Sequence, residues 1–165
     1  MTTAKTKREN AEHGFMASTA LADSLQRVLV DLIELASQAK QAHWNVVGRN
    51  FRDLHLQLDE ITAAARTHAD VIAERLRALH AVADGRSATV SSSTSLTVYP
   101  QGEVDTGETV DLITGRLEGV VATVRDVHDA VDEEDPTSAD LLHAIIAELE
   151  QLAWMVSAEN RTPAS

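Results

Sequence analysis

Four long stretches of this chain repeat their apolar residues at helical spacing, and the order in which they are joined leaves few folds open. From Ser18, a natural N-cap, Leu21, Leu25, Val28, Leu29, Leu32, Ile33, Leu35, Ala36 and Ala39 predict a helix to about residue 46. Gly48, Arg49 and Asn50 form a short turn. A second long helix is expected from about residue 52 to 83, with the stripe Leu54, Leu58, Ile61, Ala65, Ile72, Leu76 and Leu79. Residues 84 to 105 change character: Asp84-Gly85-Arg86, a Ser/Thr run over 91–95, then Tyr99-Pro100-Gln101-Gly102. They read as a crossover with room for one short helix. Asp105, with Glu108 three residues later, marks a third helix to about Glu133. Asp135-Pro136 breaks it, and Thr137 with Asp140 opens a fourth helix ending near Asn160. Two tight helical hairpins joined by one long crossover define an all-α four-helix bundle.

The remaining composition narrows the setting. A length of 165 residues suits one domain, expected over residues 17–160, with a loosely held polar tail at 1–16 and a short one at 161–165. Aromatics are only 3%, so Leu, Ile, Val and Ala must fill the core. The chain has no Cys, which removes disulfides and thiolate metal sites and points to a reducing cytoplasm. No apolar run approaches the ~18 residues of a membrane span, and the N-terminus lacks a signal-peptide core, so no membrane is expected. A net charge of −12 attracts cations and opposes nucleic acid.

Five potential metal ligands cluster in the first hairpin: His43, His55, Asp59, Asp70 and Glu74. His55/Asp59 and Asp70/Glu74 are both i,i+4 pairs, each stacked on one helix face. Asp59 and Asp70 are eleven residues apart, close to three full turns, so all four share a face. Along the axis that separation is about 16 Å, whereas a ligating oxygen must lie about 2 Å from its metal. One helix alone cannot close such a site. A second, antiparallel copy can: the register that sets Asp59 opposite the partner's Asp70 also sets His55 opposite the partner's Glu74. Its two-fold axis falls between Ala64 and Ala65, within a run of three small alanines from Ala63. His43 lies level with His55 across the turn. The expected site takes His43, His55 and Asp59 from one subunit and Asp70 and Glu74 from another, twice per dimer. Mixed imidazole and carboxylate ligands suit iron, with Zn²⁺ or Mn²⁺ as competitors.

The segment Lys40-Gln-Ala-His43-Trp44-Asn45-Val-Val-Gly48-Arg-Asn-Phe51-Arg-Asp-Leu54-His55-Leu-Gln-Leu-Asp59-Glu60 resembles the signature of the Dps proteins, the mini-ferritins. Asp70-Val-Ile-Ala-Glu74-Arg75 resembles their second motif. The likeness is specific over residues 38–80 and continues more loosely to Trp154. It implies a ferritin-like fold, a hollow shell of twelve subunits, and a ferroxidase site at each half of every dimer interface, with the five residues above as iron ligands. It also implies the reaction: two Fe²⁺ are oxidised together, preferentially by hydrogen peroxide rather than oxygen, and ferric mineral is stored, protecting the cell from oxidative stress.

The resemblance extends to other positions. Trp44 reads as a packing aromatic at the hairpin end, with an added role in intercepting stray oxidising equivalents implied by similar proteins. Arg75 and Glu150 match positions of an assembly salt bridge, or pair as ordinary surface residues. Trp154 reads as core. Asp126, Asp129, Asp132, Glu133, Glu134, Asp135 and Asp140 surround the turn between the third and fourth helices. They form either a solvated loop or an acidic three-fold pore that concentrates Fe²⁺, with Asp126, Asp129 and Asp140 as its candidates. His13, His68, His80, His128 and His143 read as surface or packing residues. Many Dps relatives compact DNA through basic tails. Here Lys5, Lys7 and Arg8 are offset by Glu9 and Glu12, so DNA binding is expected to be weak or absent.

Overall fold

Ser18 caps the first helix as its side chain allows: Oγ accepts the Leu21 N–H at 3.1 Å, and α1 (Thr19–Asn45) starts there. The computed structural model describes residues 14–164. Positions 1–13 of the expected tail, His13 among them, and Ser165 lie outside the described residues. A two-residue strand β1 (Val46–Val47) follows, then α2 (Phe51–Ala78), a short α3 (Ser87–Ser93), β2 (Val104–Asp105), α4 (Thr106–Glu134) and α5 (Pro136–Ser157). One 3₁₀ turn, Ala158–Asn160, closes the bundle. Helix α1 packs on α2 and α4, and α5 packs on α4 and α2, which is a four-helix bundle with one crossover.

Two helix ends differ from the sequence pattern. Helix α2 stops several residues short of 83 because His80 takes a left-handed φ of 62° and the Ala81 N–H turns back to the Leu76 carbonyl at 2.9 Å. Helix α5 starts at Pro136, not at Thr137. A proline in the first helical position loses only an N–H that had no partner there. Asp135 thus ends one helix and begins the next.

The crossover is pinned by a residue the apolar pattern passes over. Asp31, 2% exposed on α1, accepts the Thr94 hydroxyl (2.8 Å), the Ser95 N–H (2.8 Å) and hydroxyl (2.6 Å), and the Thr123 hydroxyl of α4 (2.7 Å). Those bonds steer Leu96 and Tyr99 into the core. β1 and β2 pair in parallel, Val46 with Val104 and Val47 with Asp105, so the α1–α2 turn is tied to the start of α4. Gly48 is required in that turn. Its φ is +125°, and a Cβ there would sit 3.1 Å from Thr106 Oγ1.

The predicted stripes of α1 and α2 are buried, apart from a half-exposed Ile33. Trp154 is not core: it is 61% exposed, one helical step beyond buried Leu152 and Ala153. Among the described residues, the segment Pro136–Asn160 is long and apolar enough to cross a membrane, where the sequence pattern gave no such run. It carries few charges because Leu142, Ile145, Leu149 and Val156 line the bundle core with no exposed surface.

Candidate metal centre

The α1–α2 turn carries His43 and His55 to the same level from two helices. Their rings stack with centroids 3.6 Å apart and an interplanar angle of 21°. His43 Nδ1 lies 2.8 Å from the His55 carbonyl oxygen, and His55 Nδ1 lies 2.8 Å from that of His43. A carbonyl oxygen can only accept, so each Nδ1 is the N–H donor. In the neutral ring each Nε2 is then a free lone pair. Metal-binding imidazoles are oriented in this way, by a bond from the nitrogen that does not ligate. The Phe51 ring, 5.1 Å from His55, closes one side.

Asp59 lies one turn beyond His55, its Oδ1 3.5 Å from His43 Nδ1 and ion-paired with Lys40. The hydrogen bond from Lys40 holds the Asp59 carboxyl below its ordinary pKa. Partial desolvation opposes that shift, and the nearby His43 and Lys40 charges reinforce it. The Asp59 carboxyl is therefore an anion whose charge is balanced by Lys40. The family-like segment contained Lys40, but helical spacing alone gave no reason to place it against Asp59.

Asp70 and Glu74 are exposed, one turn apart on the outer stripe of α2 that also carries Leu56, Ala63 and Thr67. Asp70 borders a groove of about 610 Å³ between α1 and α2, with Lys40, Trp44, Ala69 and Ala73 on its walls. Among the described residues, no three His, Asp or Glu side chains of the chain converge on one ion position. The fold stacks His43 on His55, brings Asp59 to 3.5 Å from His43, and leaves Asp70 and Glu74 farther along the helix. Of the three alanines, Ala63 is exposed whereas Ala65 is fully buried in its own bundle. Only part of that run can meet a neighbour.

Within the single chain, Trp44 is not packed at the hairpin end. It is 67% exposed and borders the groove, because one residue after buried His43 the helix has turned it outward. Arg75 donates to Asp135 at 2.7 Å and to Ser138 at 3.0 Å, whereas Glu150 pairs with Arg125, so within the chain these two have separate partners. Asp135 leaves the exposed acidic set: it is buried and held by Arg75 and Ser138. Glu134 accepts the Ser18 N–H and hydroxyl at 2.8 and 2.6 Å. Asp126 pairs with Arg27 at 2.9 Å, and Asp129 and Asp140 are exposed beside His128 and His143. His68 is buried, its Nε2 2.7 Å from Glu148.

A single-crossover bundle with two oriented imidazoles and a carboxylate in its first hairpin is a ferritin-like arrangement, and residues 22–162 match the family model of the ferritin-like domain. The DNA protection during starvation protein of Agrobacterium fabrum is 34% identical over 159 residues, which cover 96% of each chain. The solved structure of Dps92 from Deinococcus radiodurans superposes with a TM-score of 0.84 at 32% identity, covering 87% of this chain and 88% of that one. Dps from Microbacterium arborescens in the high iron form gives 0.81 at 31% identity, covering 88% and 98%. The chain belongs to the Dps family of ferritin-like proteins. That membership carries iron binding, iron storage and protection from oxidative stress, with iron oxidation as a property of the family.

Proposed function

We propose that two copies of this chain pair antiparallel along α2, so that His43, His55 and Asp59 of one subunit and Asp70 and Glu74 of the other enclose two Fe²⁺ as substrate. The observation that carries this reading is the reciprocal His43/His55 pairing, which fixes both Nδ1–H bonds and leaves both Nε2 atoms available. The outward face of Asp70 and Glu74 supports a partner in the remaining positions. Hard carboxylate oxygens favour Fe³⁺ over Fe²⁺. Two irons supply both electrons that hydrogen peroxide needs: with two protons, one peroxide becomes two waters and two Fe²⁺ become two Fe³⁺, and no hydroxyl radical is released.

In this proposal six such dimers form a hollow shell of twelve in the cytoplasm, where ferric mineral accumulates. Exposed Asp126, Asp129 and Asp140 draw Fe²⁺ inward, and exposed Trp44 intercepts oxidising equivalents beside the site. A relative's name refers to protecting DNA. Here protection comes through removal of iron and peroxide, because a net charge of −12 per chain opposes phosphate. Stopped-flow iron oxidation tests the reading. Asp59→Ala and Glu74→Ala should each cut the peroxide-driven rate by at least about tenfold, the loss of one oxygen ligand at a metal site. Wild-type rates in both variants would overturn it.

A further inference from the structure

A second imidazole pair lies far from the hairpin centre. Asp126, two residues before His128, meets Arg27, sixteen residues before His43 on α1, a distance of about 24 Å along that helix. His128 of α4 and His143 of α5 face each other with Nε2 atoms 2.6 Å apart, ring centroids at 4.6 Å and planes tilted by 33°. His128 Nδ1 lies 3.0 Å from Asp129 Oδ1, and His143 Nδ1 lies 3.6 Å from Asp140 Oδ1. An ionised carboxylate only accepts, so Asp129 draws the His128 ring proton to Nδ1 and turns that ring's Nε2 lone pair toward His143, whereas Asp140 lies beyond hydrogen-bond range of its ring. The 2.6 Å contact is then closed by one proton, which His143 Nε2 donates to the His128 lone pair and which a metal cation can replace.

We propose that His128 and His143 form a binding site for a borderline divalent transition cation of the Zn²⁺ class, separate from the two-iron centre. The sequence of groups is carboxylate, imidazole, metal, imidazole, in which Asp129 orients the His128 ring and raises its basicity. Two Zn–N bonds of about 2.0–2.1 Å at a tetrahedral angle put the nitrogens about 3.3 Å apart, so the rings need part by less than about 1 Å. His143 can make that move, since its side chain is 58% exposed. The rings open on a cavity of about 150 Å³, bordered also by Arg125, Asp129 and Ile146, which gives room for water as further ligands. The Arg125 charge is engaged by Glu150. Imidazole nitrogen favours Zn²⁺ or Cu²⁺ over Fe²⁺ in the usual affinity order, so this site is selective against the iron substrate.

Equilibrium dialysis of the assembled protein against Zn²⁺ tests the proposal, with size and helicity checked for every variant. Wild type should hold one more tight Zn²⁺ per subunit than either His128→Ala or His143→Gln. Asp129→Asn should keep that ion with affinity weakened about 10- to 100-fold. A His55→Ala/Asp59→Ala chain should lose hairpin zinc but retain this ion, which separates this site from the two-iron reading. If both histidine variants keep the wild-type count, the pair shares only a proton and the proposal fails.

Discussion

Asp31 offers the sharpest test of how the crossover is held. Its carboxylate is 2% exposed and, among the described residues, has no cationic partner, only the four donors from Thr94, Ser95 and Thr123 at 2.6–2.8 Å. Truncation to Ala removes the acceptor from all four. Thr94 and Ser95 lie toward the surface and can turn to water, but the Thr123 hydroxyl, 7% exposed, cannot. A hydrogen bond to a charged group contributes about 1.5–3 kcal/mol, and a stranded buried donor costs about 1–3 kcal/mol. The four bonds share one carboxylate and do not add. Asp31→Ala should therefore cost about 2–4 kcal/mol. Asp31→Asn keeps one acceptor oxygen, and the Ser95 and Thr123 hydroxyls can rotate to accept from its amide, so its cost should be about 1 kcal/mol. Urea unfolding followed by helicity, at fixed protein concentration and matched assembly state, reads the difference. If Asp31→Ala lies within about 1 kcal/mol of wild type, or Asn is as costly as Ala, the crossover is held by something else.

Two further predictions concern ionisable groups. Lys40→Met removes the ammonium paired with Asp59, and should tighten Zn²⁺ binding at the hairpin by about two- to fivefold by calorimetry; weaker binding would show that Lys40 assists the metal. Burial alone would raise the Asp135 carboxyl, but hydrogen bonds from Ser138 and Arg75 outweigh it and hold the pKa below the ordinary value. A group lowered in this way stabilises fully above its unfolded pKa of about 3.9, and that contribution is lost as pH falls through the folded value. Asp135→Asn should therefore lower the melting temperature at neutral pH, with the gap to wild type closing below about pH 4; a gap independent of pH would contradict the assignment.

The first two long helices were legible because their stripes repeat over seven or more apolar positions, and the last two because Asp105 with Glu108 and Asp135-Pro136 mark where they start and break. The ends were less so. Nothing local predicts that His80 takes a left-handed conformation, and Pro136 reads equally well as a break or as a first helical residue. The β1–β2 pair was hidden because two residues leave no pattern. At the candidate centre, spacing put His43 level with His55, but their reciprocal backbone bonds depend on the turn between them. Trp154 differs from the core place expected of it because its helical phase points outward, beside buried Ala153. Asp31 and the His128/His143 pair depend on contacts between distant segments, which periodicity within one helix does not encode.

Complementation measures most directly whether each oxidation site draws ligands from two chains. A His43→Ala/His55→Ala chain and an Asp70→Ala/Glu74→Ala chain should each be inactive alone. In a mixed dimer of the two, one site collects every defect and the other collects none. Random reassembly makes half the dimers mixed, so an equimolar mixture should regain about a quarter of wild-type peroxide-driven iron oxidation. Were each site built within one chain, every site would carry a defect. A mixture with no activity, after native size and helicity have been confirmed, would contradict the two-chain site.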